Sequence, residues 1–265
     1  MIFRKMTFSK MIFSKMNFTK SCIALLAFAA TIATAPAAYS ACSNASVKGV
    51  YGISSTGLNG SLQPASSVDQ INADGAGKLT GTATKSIDGT IVTFTFTGTY
   101  SIGSTCIGTA IFTNQDGTTE HDNIFLNNGN TGAFLIQTDA NHVQSSIAVA
   151  EGAATCTNLG VKHAYSFEAT GMVIGTGQVA VAGKLTLSGT GTITGTETLS
   201  LNGSIHNSVQ TTGTYKINPD CTGNASITPK GLPTANFNLV VVNAGKEIMA
   251  IETDTNSIVL GTFQE

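Results

Sequence analysis

"TGTYSIGSTCIGTA" at residues 97–110 returns in altered form as "TGTYKINPDCTGNA" at residues 212–225. Both copies run from Thr-Gly-Thr-Tyr through a turn to a cysteine and a second small, Thr-rich stretch. A phrase written twice points to a duplicated unit, and the match extends on both sides of it. At an offset of 114, "VKGVYGI" from Val47 lies over "VKHAYSF" from Val161, and "LTGTATKSIDGTI" from Leu79 lies over "ITGTETLSLNGSI" from Ile193. One residue is then gained. At an offset of 115 the opening phrases coincide, as do "IQTDAN" from Ile136 and "IETDTN" from Ile251. Two units follow, 42–152 and 156–265, each the size of a domain and far longer than a solenoid coil.

Upstream of the first phrase, "IVTFTFTGTY" turns Val92, Phe94, Phe96, Gly98 and Tyr100 to one side and Thr93, Thr95, Thr97 and Thr99 to the other. That period of two is a strand with one buried face. In the second unit "TITGTETLSL" alternates Ile193, Gly195, Glu197, Leu199 and Leu201 against Thr and Ser. Turn signals such as "DGAG", "IDGT", "NNGN" and "LNGS" recur at short intervals, and no stretch after residue 40 has helical periodicity. Strands are expected near 47–57, 66–73, 77–87, 90–102, 105–114, 119–127, 132–139 and 144–151, and again in unit two. The expected fold is all-β, two tandem antiparallel up-and-down eight-stranded barrels. The alternative is two β-sandwiches of immunoglobulin type, which would favour a core Trp and mid-strand cysteines. The chain has no Trp.

Residues 1–40 read as a secretory signal peptide. Arg4, Lys5, Lys10, Lys15 and Lys20 form the basic region, "CIALLAFAATIATA" the apolar one, and "APAAYSAC" the small-residue cleavage site. An exported protein is expected: periplasmic, cell-surface or extracellular. Past the leader stand eight basic and fifteen acidic residues, a formal charge of −7, and no arginine. That balance argues against nucleic acid as a partner, and no later segment is long enough for an apolar membrane span.

Four cysteines remain, Cys42, Cys106, Cys156 and Cys221, an even and well-spaced set for an exported chain. "YSAC" partly matches a lipobox at Cys42, but Cys156 is the repeat counterpart of Cys42 and favours a disulfide. In up-and-down order, strands one and five begin at the same rim. The residues from Cys42 to Val47 reach about 15 Å when extended, enough to cross the mouth. The pairs Cys42–Cys106 and Cys156–Cys221 are expected, each worth roughly 2–4 kcal/mol through the unfolded state.

"TGTYKINPDCTG" followed by "VVNAGKEIMAIETD" resembles a group of exported bacterial proteins carrying one or two such units. The closed outline is similar to allene-oxide-cyclase-like and lipocalin-like barrels. Neither the cyclase motif nor the lipocalin Gly-x-Trp signature is present, so the resemblance implies no site residue.

No G-x-S-x-G elbow, H-E-x-x-H, P-loop or dinucleotide fingerprint occurs, and no cofactor or metal is called for. Function is therefore sought in the barrel interiors. Phe94, Phe96, Tyr100, Tyr165, Phe167 and Tyr215 are the candidate lining of a pocket for a small, mostly apolar ligand. A partner is the other candidate occupant. His163 and Glu197 replace Gly49 and Ala83 of unit one on inward faces, which suggests an interior His–Glu pair and, as a weaker alternative, a cyclase- or isomerase-like enzyme. Lys85 is read as snorkelling from the rim. Asp139, Glu252 and Asp254 are read as turn chemistry, with calcium as the lesser reading. The Thr ladders offer a second function, a surface protein with solid barrels and Thr-rich contact faces.

Overall fold

The structure, a computed structural model, describes residues 41–265 apart from 128, 130 and 153–155. The expected leader lies outside the described residues.

The first barrel is built from β1 (Gly49–Leu58), β2 (Pro64–Ala73), β3 (Lys78–Ile87), β4 (Thr90–Ile102), β5 (Ile107–Asn114), β6 (Thr119–Leu126), β7 (Gly132–Gln137) and β8 (Val143–Ala150). The second follows as β9 (Ala164–Val173), β10 (Gly177–Leu187), β11 (Thr192–Leu201), β12 (Ser204–Ile217), β13 (Thr222–Pro229), β14 (Ala235–Val242), β15 (Glu247–Glu252) and β16 (Ser257–Gln264). Each strand pairs antiparallel with the next. β8 returns to β1 and β16 to β9, so both barrels are closed and present no free edge.

The turns follow from their residues. Asp88 and Gly89 (φ 48° and 74°) join β3 to β4, and Asn202 and Gly203 (φ 47° and 86°) join β11 to β12. Paired positive φ values belong to the two-residue hairpin turn whose twist matches its strands, and Asp-Gly and Asn-Gly adopt it readily.

The repeated phrase closes one end of each barrel. Residues Asn44–Val47 form a 3-10 turn across the mouth of the first. The Tyr100 hydroxyl donates to the Asn44 carbonyl oxygen (3.2 Å) and accepts the Gly75 N–H (2.9 Å), while Asn44 Oδ1 accepts the Ile102 N–H (2.7 Å). The second barrel repeats this. Tyr215 donates to the Asn158 carbonyl (3.0 Å) and accepts from Gly189 (2.9 Å), and Asn158 Oδ1 accepts from Ile217 (2.7 Å). The disulfides Cys42–Cys106 and Cys156–Cys221 pin each plug, with Cα atoms 5.0 and 4.8 Å apart. With its sulfur in that bridge, Cys42 has no free thiol for a lipid.

The residue gained between the units has a place. β12 is 14 residues long against 13 for β4, and its pairing with β11 skips between Glu197 and Leu199. Asn207 and Ser208 together oppose Thr198, with Ser208 at φ 53°. This is a β-bulge, which absorbs the extra residue by bending one strand.

The outer walls of the barrels meet. Val68 of β2 packs on Val240, Val242, Met249 and Ile251 of β14 and β15, all at most 5% exposed, with Val149 and Leu260 at the border. Polar contacts ring this cluster: Asn238 Nδ2 to Thr84 Oγ1 (2.9 Å), Ser86 Oγ to the Ser257 carbonyl (2.5 Å), and Gln70 Nε2 to Glu151 (2.6 Å) and to the Asp220 carbonyl. A dry centre with a hydrogen-bonded rim is the anatomy of a stable interface.

Candidate functional site

The two interiors have diverged. In the first barrel, the half away from the plug is polar. Asp69, Lys85, Glu120 and Asp122 face inward with Ser55, Ser67 and Ser146, beside Phe94, Phe96 and Phe112. Lys85 Nζ lies 3.3 Å from Glu120 Oε2, and with 17% of its side chain exposed it is inside the barrel, not snorkelling from the rim. Burial pushes both Asp69 and Asp122 up to about 7. Lys85 opposes the rise at each, and Glu120 adds to it. The free space here is only about 30 Å³. A second, apolar void of about 70 Å³ lies nearer the plug, among Val47, Ile71, Tyr100, Ile124 and Leu135. This barrel is close to filled.

The second barrel carries apolar residues at the matching positions. Val181 stands for Ser67, Leu199 for Lys85 and Phe237 for Asp122. At two other positions large residues have shrunk: Phe96 becomes Thr211 and Leu135 becomes Ala250. A cavity of about 160 Å³ opens at the end away from the plug, past Leu232 and Pro233 of the β13–β14 connection. Its wall includes Phe167, Val181, Leu199, Ile227, Phe237 and Phe263. Phe167 and Phe263 stack with ring centres 5.5 Å apart. A cavity of about 150 Å³ with such a lining holds a molecule the size of benzene.

Two carboxyls enter this apolar wall, Glu197 and Glu252. Glu197 is 4% exposed; burial raises its pKa, and a hydrogen bond with Thr211 partly offsets the rise. Burial also raises Glu252, offset by the Ser257 hydroxyl, which donates to Glu252 Oε1 at 2.7 Å, and reinforced by Asp254. Burial thus favours the protonated form of each, and a protonated carboxyl can donate a hydrogen bond. The bulge in β12 sits beside Glu197 and Leu199, where the wall bends.

The structure divides the candidate aromatics. Phe167 lines this cavity, while Phe94 and Phe96 line the polar chamber and Tyr100 the small apolar void. Tyr165 and Tyr215 lie in the packed core at the plugged end. The Tyr165 hydroxyl donates to the Gly245 carbonyl at 2.6 Å, and both hydroxyls are spent on the closure. The expected His163–Glu197 pair does not form. His163 precedes β9 at the plugged rim, 40% exposed, with Nδ1 3.1 Å from Glu265 Oε1. Its carbonyl accepts from Leu187, four residues along β10 from Gly183, the pairing partner of Glu197. Four strand residues separate the two side chains by about 13 Å.

Asp139 and Asp254 do equivalent turn work. Asp139 accepts the His121 N–H (2.8 Å) and meets His121 Nδ1 (2.7 Å); Asp254 accepts the Asn236 N–H and side-chain amide (2.7 and 2.8 Å). Among the described residues no group of three His, Cys, Asp or Glu is placed to hold a metal ion. The Thr ladder stands on the outside of β3 and β4, with Thr80 opposite Thr97 and Thr82 opposite Thr95; Thr84 is instead buried against barrel two. Among the described residues no helix is long and apolar enough to cross a membrane.

No family model and no curated protein matches the chain. Among solved structures, the isotype 1 transferrin binding protein B from serogroup B Neisseria meningitidis aligns over 83% of this chain and 75% of its own. The identity is 9% and the TM-score 0.33, a likeness too distant to carry any inference about function.

Proposed function

We propose that this chain is an exported, non-enzymatic binding protein whose second barrel holds a small, mostly apolar molecule carrying one hydrogen-bonding group. The observation that supports this reading is the 160 Å³ cavity, with its stacked phenylalanines and two buried glutamates. A large apolar pocket with few polar groups, each held at a perturbed pKa, is the usual form of a ligand site. Burial raises the pKa of Glu197 and Glu252 and so favours the protonated carboxyl, the form that donates to a ligand's acceptor. The first barrel, close to filled, serves as a rigid support through the Val68–Met249 contact.

The reading is tested by native mass spectrometry of protein purified from its own host, with benzene and phenol titrations on the emptied protein. Expected are a retained small molecule and saturable binding of both probes that Val181→Phe abolishes while leaving the thermal midpoint in place. No retained molecule together with no saturable binding of either probe overturns it.

A further inference from the structure

On the outer wall of barrel one, four large apolar side chains stand in a single row across four strands. Ile107 is opposite Phe125, Phe125 opposite Phe134, and Phe134 opposite Ile147. They are 51, 41, 59 and 49% exposed, although burying such rings and branched chains is favourable. Ile136 and Val143 widen the patch, and the neighbouring outward residues Thr109, Asn123 and Ser145 carry no charge.

The duplication shows what such a face is for. The same row in barrel two is Thr222, Val240, Met249 and Thr262, paired in the same way. There Val240 and Met249 are 5% and 2% exposed, because the β1–β2 wall of barrel one lies on them. One copy of this face is covered within the chain. The other is left open and is the more apolar of the two.

We propose that the open face of barrel one pairs with the same face of a second copy, forming a closed two-fold dimer. The order of the row, Ile–Phe–Phe–Ile, reads the same from either side. A two-fold axis between Phe125 and Phe134 sets each Phe125 against the other copy's Phe134, and each Ile107 against the other's Ile147. That self-complementarity is what an isologous contact requires. Head-to-tail growth, in which barrel two of one copy would cover this face with its β9–β10 wall, is blocked by chemistry. Where β1–β2 presents Gly52, Ser54, Val68 and Gln70, β9–β10 presents Ser166, Glu168, Ala182 and Lys184, all exposed. Such a face would bury two charges against phenylalanine. The patch amounts to on the order of 500 Å² per copy, so the pair covers about 1,000 Å², the low edge of specific interfaces; a weak, concentration-dependent dimer is expected.

Sedimentation velocity of the purified protein across a concentration series tests this, with variants Phe125→Lys and Phe134→Glu. Both positions are exposed, and unchanged circular dichroism and melting certify that each variant folds. The expected result is a dimer at high micromolar concentration that each substitution alone abolishes. An equimolar mixture of the two variants re-associates, because the symmetry sets the new lysine of one against the new glutamate of the other. A wild type monomeric at every concentration overturns the proposal. So does a dimer indifferent to both substitutions, a mixture that stays monomeric, or a face that engages only phosphatidylcholine vesicles.

Discussion

The Tyr215 hydroxyl holds the Asn158 carbonyl oxygen at 3.0 Å, and Tyr100 holds Asn44 at 3.2 Å in the same way. Each tyrosine reaches from the fourth strand of its barrel to the segment that seals the mouth. Each also accepts an N–H from a glycine turn. A buried hydroxyl with two partners contributes about 1–2 kcal/mol, most of it the cost of leaving those partners unpaired. Tyr215→Phe and Tyr100→Phe are each expected to lower the thermal midpoint by several degrees, read by differential scanning calorimetry. Lys162→Ala, on an exposed side chain, is the control.

Breaking a bridge should loosen the same end. Cys156→Ser with Cys221→Ser frees a loop of 65 residues and is expected to cost roughly 2–4 kcal/mol in a urea titration. Reduction of the wild type opens both bridges and should shift the midpoint at least as far, and an unchanged midpoint would remove the plug from the stability account.

Acid should stabilise the first barrel. Asp69 and Asp122 keep their protons up to about pH 7 when folded but release them near 3.8 when unfolded. Between those values the folded state binds more protons, so the unfolding free energy falls as pH rises through the window. The penalty is absent below about pH 4 and complete above about pH 7, with a size on the order of a few kcal/mol. Asp69→Asn is expected to flatten the dependence and raise the midpoint at pH 8, measured by melting from pH 4 to 8.

The contact between barrels rests on a missing side chain. A Cβ on Gly52 would lie 2.5 Å from Val242 Cγ1 and 2.9 Å from Val240 Cγ1. Overpacking of this kind costs about 1–3 kcal/mol. Gly52→Ala is expected to lower stability and to enlarge the radius of gyration in small-angle scattering. Ser166→Ala, at the counterpart position in barrel two, should change neither.

Most of the fold was legible because a period of two, broken by Asp-Gly and Asn-Gly, states both strand and turn. Phe94, Phe96 and Tyr100 announce an inward face, and the repeat offset locates the second barrel. What alternation cannot state is height along the axis. It turns Tyr165, Tyr215 and Glu197 inward but does not separate the plugged end from the open one. The pairing of His163 with Glu197 failed for that reason. His163 lies before its strand begins, and the bulge at Asn207–Ser208 lies beside Glu197. The contact between barrels did leave a signal. "NLVVV" of β14 and "IMAI" of β15 are apolar without alternation, as strands covered on both faces are. The 160 Å³ cavity left less, since its lining is gathered from strands as far apart in sequence as β9 and β16.

The bulge in β12 also protects the closure. A single inserted residue would ordinarily invert every later side chain of its strand, sending Tyr215 outward and opening the seal. Confined to Asn207 and Ser208, the insertion leaves Gly213, Tyr215 and Ile217 in the phase of Gly98, Tyr100 and Ile102. The seal at one end of the barrel is thereby decoupled from a change of chain length nearer the other.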